Sequence, residues 1–163
     1  MGIRNATRAL IVNDGKILVN ENQNTTGDSF NGLPIDAIYY DLPGGGQNQY
    51  ETLEEAVKRE CLKESGYTVA VDRLVAIYEE ISKHEKFRIN YEQYAHKVHF
   101  LFVCHIVDEA IKQLAEKDLD MLESVWVDIA DMKNISLYPQ IINDNLDKVL
   151  EAKSVLYLGS VRV

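Results

Sequence analysis

The 163-residue chain has little cysteine, little proline, few cations and no long hydrophobic run. Two cysteines, Cys61 and Cys104, cannot build the disulfide framework of a small secreted domain, and each has apolar neighbours among which a small buried hydrophobe is the ordinary role. No disulfide is expected. No run approaches the ~20 apolar residues of a membrane-spanning helix, and the first residues lack an apolar signal segment, so the expected compartment is the cytoplasm and no membrane partner is expected. Lys and Arg number 17 against 26 Asp and Glu, a net charge of −9. A nucleic-acid polymer calls for clustered cations and is not the expected partner. A small polyphosphate is still compatible with an acidic protein, provided that a metal ion supplies the positive charge. What the chain does have is a hydrophobic fraction of 46%, enough for one core, without internal repeats or low-complexity tracts. Residues 1–163 therefore read as a single globular domain.

The most informative segment is a helix expected to start after Thr52 and to end at Gly66. Thr52 can cap a free backbone N–H while Glu55 reaches back in a capping box, and glycine is a good C-cap residue. At about 100° per residue, Leu53, Ala56, Val57 and Cys61 share one face. Glu60 and Glu64 lie on that same face, whereas Glu54, Glu55, Lys58, Arg59 and Lys63 point outward or sit at its rim. A carboxylate in a dry site costs several kcal/mol or takes up a proton unless an opposite charge is supplied. Two carboxylates one turn apart suit Mg²⁺ or Mn²⁺, and Mg²⁺ in particular is usually held by one or two carboxylates together with water and phosphate oxygens. The alternative is an exposed acidic pair near the end of a surface helix.

Just before the helix, an extended run from Ile35 to Leu42 leads into Asp41-Leu42-Pro43-Gly44-Gly45-Gly46. Glycines allow a sharp turn and leave peptide groups bare, so that carbonyls can ligate a cation and amides can hold a phosphate. Together with the helix, this segment resembles the signature of the Nudix hydrolases, G-x5-E-x7-R-E-U-x-E-E-x-G-U with U aliphatic. Gly45, Glu51, Arg59, Glu60, Glu64 and Gly66 fall in register. Cys61 and Tyr67 occupy the aliphatic positions, and Lys63 replaces the first of the two adjacent acids.

The resemblance implies a MutT-like α/β/α sandwich around a mixed β-sheet. It implies metal ligation by Glu60, Glu64 and the Gly44 carbonyl, and a Glu51–Arg59 pair that holds the acids in place. The implied reaction is divalent-metal-dependent hydrolysis, with Mg²⁺ or Mn²⁺ as cofactor, of the pyrophosphate bond in a nucleoside diphosphate derivative. A general base would be Glu60 or Glu64 themselves or a distant acid, with Glu92, Glu116, Asp118, Asp120 and Glu123 as candidates. Lys63 motivates the alternative, a catalytically silent Nudix-like module that binds a nucleotide or sugar nucleotide as a sensor. The subgroup marks found downstream in some members, a proline in many ADP-ribose hydrolases or a tyrosine in dinucleoside polyphosphate hydrolases, are missing from Ser82 to Glu85. The sequence thus leaves the substrate open, and it also leaves open whether the protein forms a homodimer.

Elsewhere, Ala9 to Val12 and Ile17 to Val19 read as strands joined by a hairpin at Asn13-Asp14-Gly15. Residues 21 to 34 read as a loop, Val69 to Ile81 as a strand, and Ser82 to Glu92 as an irregular charged stretch. A long strand is expected from Lys97 to Val107, with His99 and Cys104 on opposite faces and His105 on the face of His99. No histidine set has the convergence that zinc requires. Asp108 to Lys117 reads as a short helix or turn, Glu123 to Ile129 as a strand carrying Trp126, and Pro139 as the start of an amphipathic helix with Ile142, Leu146, Val149 and Leu150 facing the core.

Overall fold

The computed structural model describes residues 2–25, 32–108 and 118–163. Among these, eight strands form one mixed sheet: β1 (Arg4–Asn13), β2 (Lys16–Gln23), β3 (Ile38–Asp41), β4 (Gly44–Gly46), β5 (Thr68–Ile81), β6 (His96–Asp108), β7 (Met121–Asp128) and β8 (Leu156–Arg162). The order is β3-β2-β1-β6-β5-β8, with β4 also on β1 and β7 also on β2. The β1–β6 and β5–β8 pairs are parallel and the others antiparallel. Four helices accompany the sheet: α1 (Leu53–Ser65), α2 (Glu85–Asn90), α3 (Gln140–Asp144) and α4 (Leu146–Glu151).

Strands covered on both faces read as nearly continuous apolar runs, and Ala9, Leu10 and Ile11 of β1 are all buried. Their alternate side chains enter two cores. Leu10, Ile17, Val19, Tyr78 and Leu101 pack with Ile142, Leu146 and Val149 of α3 and α4, while Ala9, Ile11, Leu18, Phe102 and Cys104 pack with Val57 and Cys61 of α1. Helices thus cover both faces, the α/β/α sandwich expected from the sequence. His99 and Cys104 face opposite sides, His99 stacking on Tyr78 at 4.7 Å between ring centroids. The β1–β2 turn has positive φ at Asp14 (48°) and Gly15 (72°), as a two-residue Asp-Gly hairpin requires.

α1 begins and ends where its caps dictate. The Glu55 amide donates to Thr52 Oγ1 at 3.1 Å, the Thr52 amide donates to Glu55 Oε2 at 2.8 Å, and Gly66 closes the helix at φ 77°.

Several elements differ from the sequence-based expectation. Residues 21–23 continue β2 rather than opening a loop, and 85–90 form α2 within the stretch read as irregular. The expected strand at Glu123 to Ile129 runs instead from Met121 to Asp128. The helix after Pro139 divides into α3 and α4 at Asn145, whose side-chain amide donates to the Ile141 carbonyl at 2.8 Å and so competes with helical bonding. β8 was not anticipated, because Gly159 at φ 94° interrupts its apolar pattern next to a register shift against β5. Most of the helix or turn expected over Asp108 to Lys117 lies outside the described residues.

Candidate active site

The glycine loop is pinned to β1. Gly44 has φ 151°, and a Cβ placed on it would lie 2.0 Å from the Thr7 carbonyl oxygen. Only glycine fits there. A Cβ on Gly45 would fall 2.6 Å from the Glu60 carboxyl carbon, so the bare loop is what lets that carboxyl approach. Arg8 Nη1 binds the loop from the sheet side, donating to the carbonyls of Leu42 at 2.8 Å and Gly44 at 3.4 Å and to Asp41 Oδ2 at 3.3 Å. These bonds join β1, β3 and the loop through a single guanidinium.

α1 supplies the acids. Glu60 is 7% exposed and Glu64 4%, although both are charged residues on a short helix. Glu64 Oε2 accepts from the Asn20 side-chain amide at 2.7 Å and from the Gly44 amide at 3.0 Å. Burial, and after it the charge of Asp41, push the Glu64 carboxyl up to about 8, against the opposing pull of Arg8, Gly44 and Asn20. Excess negative charge in a dry site is the cause. Glu60 Oε1 meets Arg59 Nη1, and its Oε2 lies 3.7 Å from Lys63 Nζ.

Arg59 and Glu51 form a two-pronged pair, Nε to Oε1 at 2.6 Å and Nη2 to Oε2 at 3.0 Å, while Nη2 also donates to the Gly46 carbonyl at 3.0 Å. The hydrogen bond from Arg59 holds Glu51 below the usual carboxylate range. A single side chain therefore ties Glu51, Gly46 and Glu60 together, a more connected arrangement than an exposed ion pair worth under ~1 kcal/mol. Arg59→Ala is expected to reduce turnover by about 10- to 100-fold, in the range for loss of a group that orients ligands. Lysine should not restore it, since an ammonium cannot make the fork. Steady-state kinetics on the two variants check both points.

The acids open onto a cavity of about 300 Å³ lined by Arg4, Arg8, Asp41, Gly44, Gly45, Gly46, Glu60, Lys63, Glu64, Lys97, His99 and Asp118, among others. Its sheet side is a buried charged array. Lys97 Nζ lies 2.9 Å and His99 Nε2 3.1 Å from Glu80 Oε1. Although burial favours a neutral Glu80, these two neighbours hold its carboxyl down at about 2, whereas burial lowers the His99 imidazole to about 4.

The fold separates the proposed base residues. Asp118 lines the cavity and accepts from Lys63 Nζ at 2.6 Å. Asp120 is turned to Thr25, accepting from its amide at 3.2 Å and from its hydroxyl. Glu123 is exposed on β7 opposite Glu21, and Glu92 lies on the wall of a separate cavity. Glu116 lies outside the described residues. Sequence reasoning passed over Arg8, Asn20, Asp41 and Arg4. The available signal was polar side chains within otherwise apolar strands, as with Arg8 between Ala6 and Leu10.

The sheet and its covering helices are those of the NUDIX hydrolase fold. A family model of the NUDIX domain matches residues 2–147, and the chain belongs to that family. No curated protein matches the chain by sequence. Among solved structures, a NUDIX hydrolase from Nitrosomonas europaea is similar with TM-score 0.69 and 18% identity, over 94% of this chain and 93% of the other. An ADP-ribose pyrophosphatase from Streptococcus suis aligns with TM-score 0.60 and 18% identity, over 98% and 100%. A UDP-X diphosphatase aligns with TM-score 0.63 and 20% identity, over 96% and 67%. At these identities the likeness concerns the fold.

Proposed function

We propose that this protein hydrolyses the pyrophosphate bond of a nucleoside diphosphate derivative with a divalent metal, Mg²⁺ or Mn²⁺, and releases a nucleoside monophosphate. The observation that carries the reading is the Glu60–Glu64 pair, buried side by side at one cavity, with Glu64 pushed up to about 8. The residues fit a hard cation. Glu60, Glu64 and the Gly44 carbonyl are oxygen donors, and a carboxyl burdened by burial is relieved when a cation takes the place of its proton. No group of three or more His, Cys, Asp or Glu side chains forms a metal cage among the described residues, which suits Mg²⁺, since it usually keeps waters and substrate phosphate oxygens as ligands. The Gly44 carbonyl accepts a long hydrogen bond from Arg8 at 3.4 Å, and a carbonyl oxygen has a second lone pair to offer a cation.

When bound, such an ion neutralises charge on the phosphate oxygens and makes water more acidic. The protein's own share is positioning and proton transfer. Asp118, at the cavity wall, accepts the proton of the water that attacks phosphorus. The new P–O bond forms as the bridging P–O bond breaks, and the leaving phosphate departs with the electron pair. Lys63, 2.6 Å from Asp118 Oδ1, aims that carboxylate, which gives the departure from the signature a use. Arg59 and Glu51 fix Glu60, and Arg8 fixes the loop.

The test is a panel of ADP-ribose, UDP-sugars, dinucleotides and nucleoside triphosphates with Mg²⁺, Mn²⁺ or EDTA, scored for nucleoside monophosphate. Turnover of at least one substrate with metal and none with EDTA is expected. Lys63, close to Glu60, also motivates a silent sensor, which would bind ligand in EDTA and turn over nothing in any arm.

A further inference from the structure

Among the described residues, four cations line the active-site cavity: Arg4, Arg8, Lys63 and Lys97. Three end on carboxylates, Arg8 on Asp41 at 3.3 Å, Lys63 on Asp118 at 2.6 Å and Lys97 on Glu80 at 2.9 Å. Arg4 has no ion pair among the described residues. Its guanidinium lies over the Tyr94 ring, 5.0 Å from the centroid, and against the glycine loop, where a Cβ on Gly46 would fall 2.0 Å from Nη2 and 2.4 Å from Cζ. Two neighbours thus bracket the guanidinium, and among the described residues its N–H groups have no protein acceptor. Arg8 and Arg59, by contrast, direct guanidinium donors at carboxylates and carbonyls.

We propose that Arg4 is a substrate-binding residue that takes one phosphate of the diphosphate, with Tyr94 holding the guanidinium in place and Gly46 leaving it room. The proposal rests on the hydrolase reading above for the identity of the ligand. Its chemistry is specific. A planar guanidinium offers two parallel donors to a phosphate, which an ammonium cannot, and stacking on an aromatic face removes rotamer freedom before the ligand arrives. The placement is equally specific, because Arg59 Nη2 donates to the Gly46 carbonyl at 3.0 Å and also holds Glu60. The loop residue that sets the position of Arg4 is therefore tied to the acid-bearing helix. With Arg8, Lys63 and Lys97 matched to acids, Arg4 provides the local positive charge that a diphosphate needs on the β1 side.

The test is calorimetric titration with inorganic pyrophosphate, in Mg²⁺ and in EDTA, on the parent protein and on Arg4→Gln, Arg4→Lys, Tyr94→Leu and Gly46→Ala, with circular dichroism to verify folding. The parent is expected to bind. Arg4→Gln should bind at least about tenfold more weakly, and Arg4→Lys should recover only part of the loss. Gly46→Ala should weaken binding although Arg4 is still present, because the methyl group displaces the guanidinium. With any substrate that turns over, Arg4→Gln should raise KM more than it lowers kcat. A parent that binds pyrophosphate neither in Mg²⁺ nor in EDTA, an Arg4→Gln variant that binds as the parent does, or a variant changed only in melting temperature would overturn the proposal. If binding depends on Arg4 while no substrate in the panel is hydrolysed, the hydrolase reading fails and the phosphate site stands.

Discussion

Replacing Glu64 with Gln should lower turnover by about a thousandfold or more, a loss of roughly 4 kcal/mol of transition-state stabilisation, and yet make the metal-free protein more stable. Activity falls because an amide cannot supply the negative donor that the proposed cation requires. The stability effect follows from the titration of Glu64, which burial and Asp41 raise from 4.5 to about 8. The folded state holds this proton more tightly than the unfolded chain, so its contribution to stability is fully present below pH 4.5 and is lost as pH rises through about 8. In EDTA the melting temperature of the parent should therefore decline across this interval, and the decline should be smaller in Glu64→Gln, with the gap between them widest above pH 8. Mg²⁺ should close the gap by stabilising only the parent. Metal affinity should rise with pH up to about 8, with about one proton released per ion bound. Scanning calorimetry against pH, with and without Mg²⁺, measures all of this. A Glu64→Gln variant that turns over at the parental rate, or that melts with the same pH dependence, contradicts the assignment.

Asp118→Asn should lower kcat by about 10²- to 10⁴-fold, the ordinary range for loss of a positioned base, while KM changes much less. Asparagine keeps an acceptor for Lys63 Nζ, 2.6 Å away in the parent, so the cavity wall should hold its shape while the proton acceptor is lost. Residual turnover should then rise steadily with hydroxide concentration. The same exchange at Asp120, whose carboxylate is engaged with Thr25, should have a far smaller effect. Rate profiles of the two variants against pH separate these outcomes, and equal effects would remove Asp118 from the mechanism.

α1 was legible in full because everything that defines it is local. Thr52, Glu55 and Gly66 cap it in the chain's own order, and the inward turn of Glu60 and Glu64 follows from helical period alone. The glycine loop was half legible. Its flexibility can be read from three adjacent glycines, but the reason for Gly44 is the Thr7 carbonyl on another strand, which no local pattern contains. Arg8, Asn20 and Asp41 were missed for the same reason, since a polar residue in a strand gains meaning only when pairing brings β1, β2 and β3 around one point. Among the four candidate acids that lie in the described residues, Asp118 is set apart by a contact with Lys63 across 55 positions of sequence. Lys63 itself read as a departure from the signature with no assigned role, because its partner could not be seen.

Diffraction from crystals soaked in Mn²⁺, collected at the manganese absorption edge, tests the central claim most directly. An anomalous peak within ligand distance of Glu60 and Glu64 carboxylate oxygens and the Gly44 carbonyl, absent from Glu64→Gln crystals, is the expected result. A soaked parent crystal whose two carboxylates coordinate no ion would contradict it.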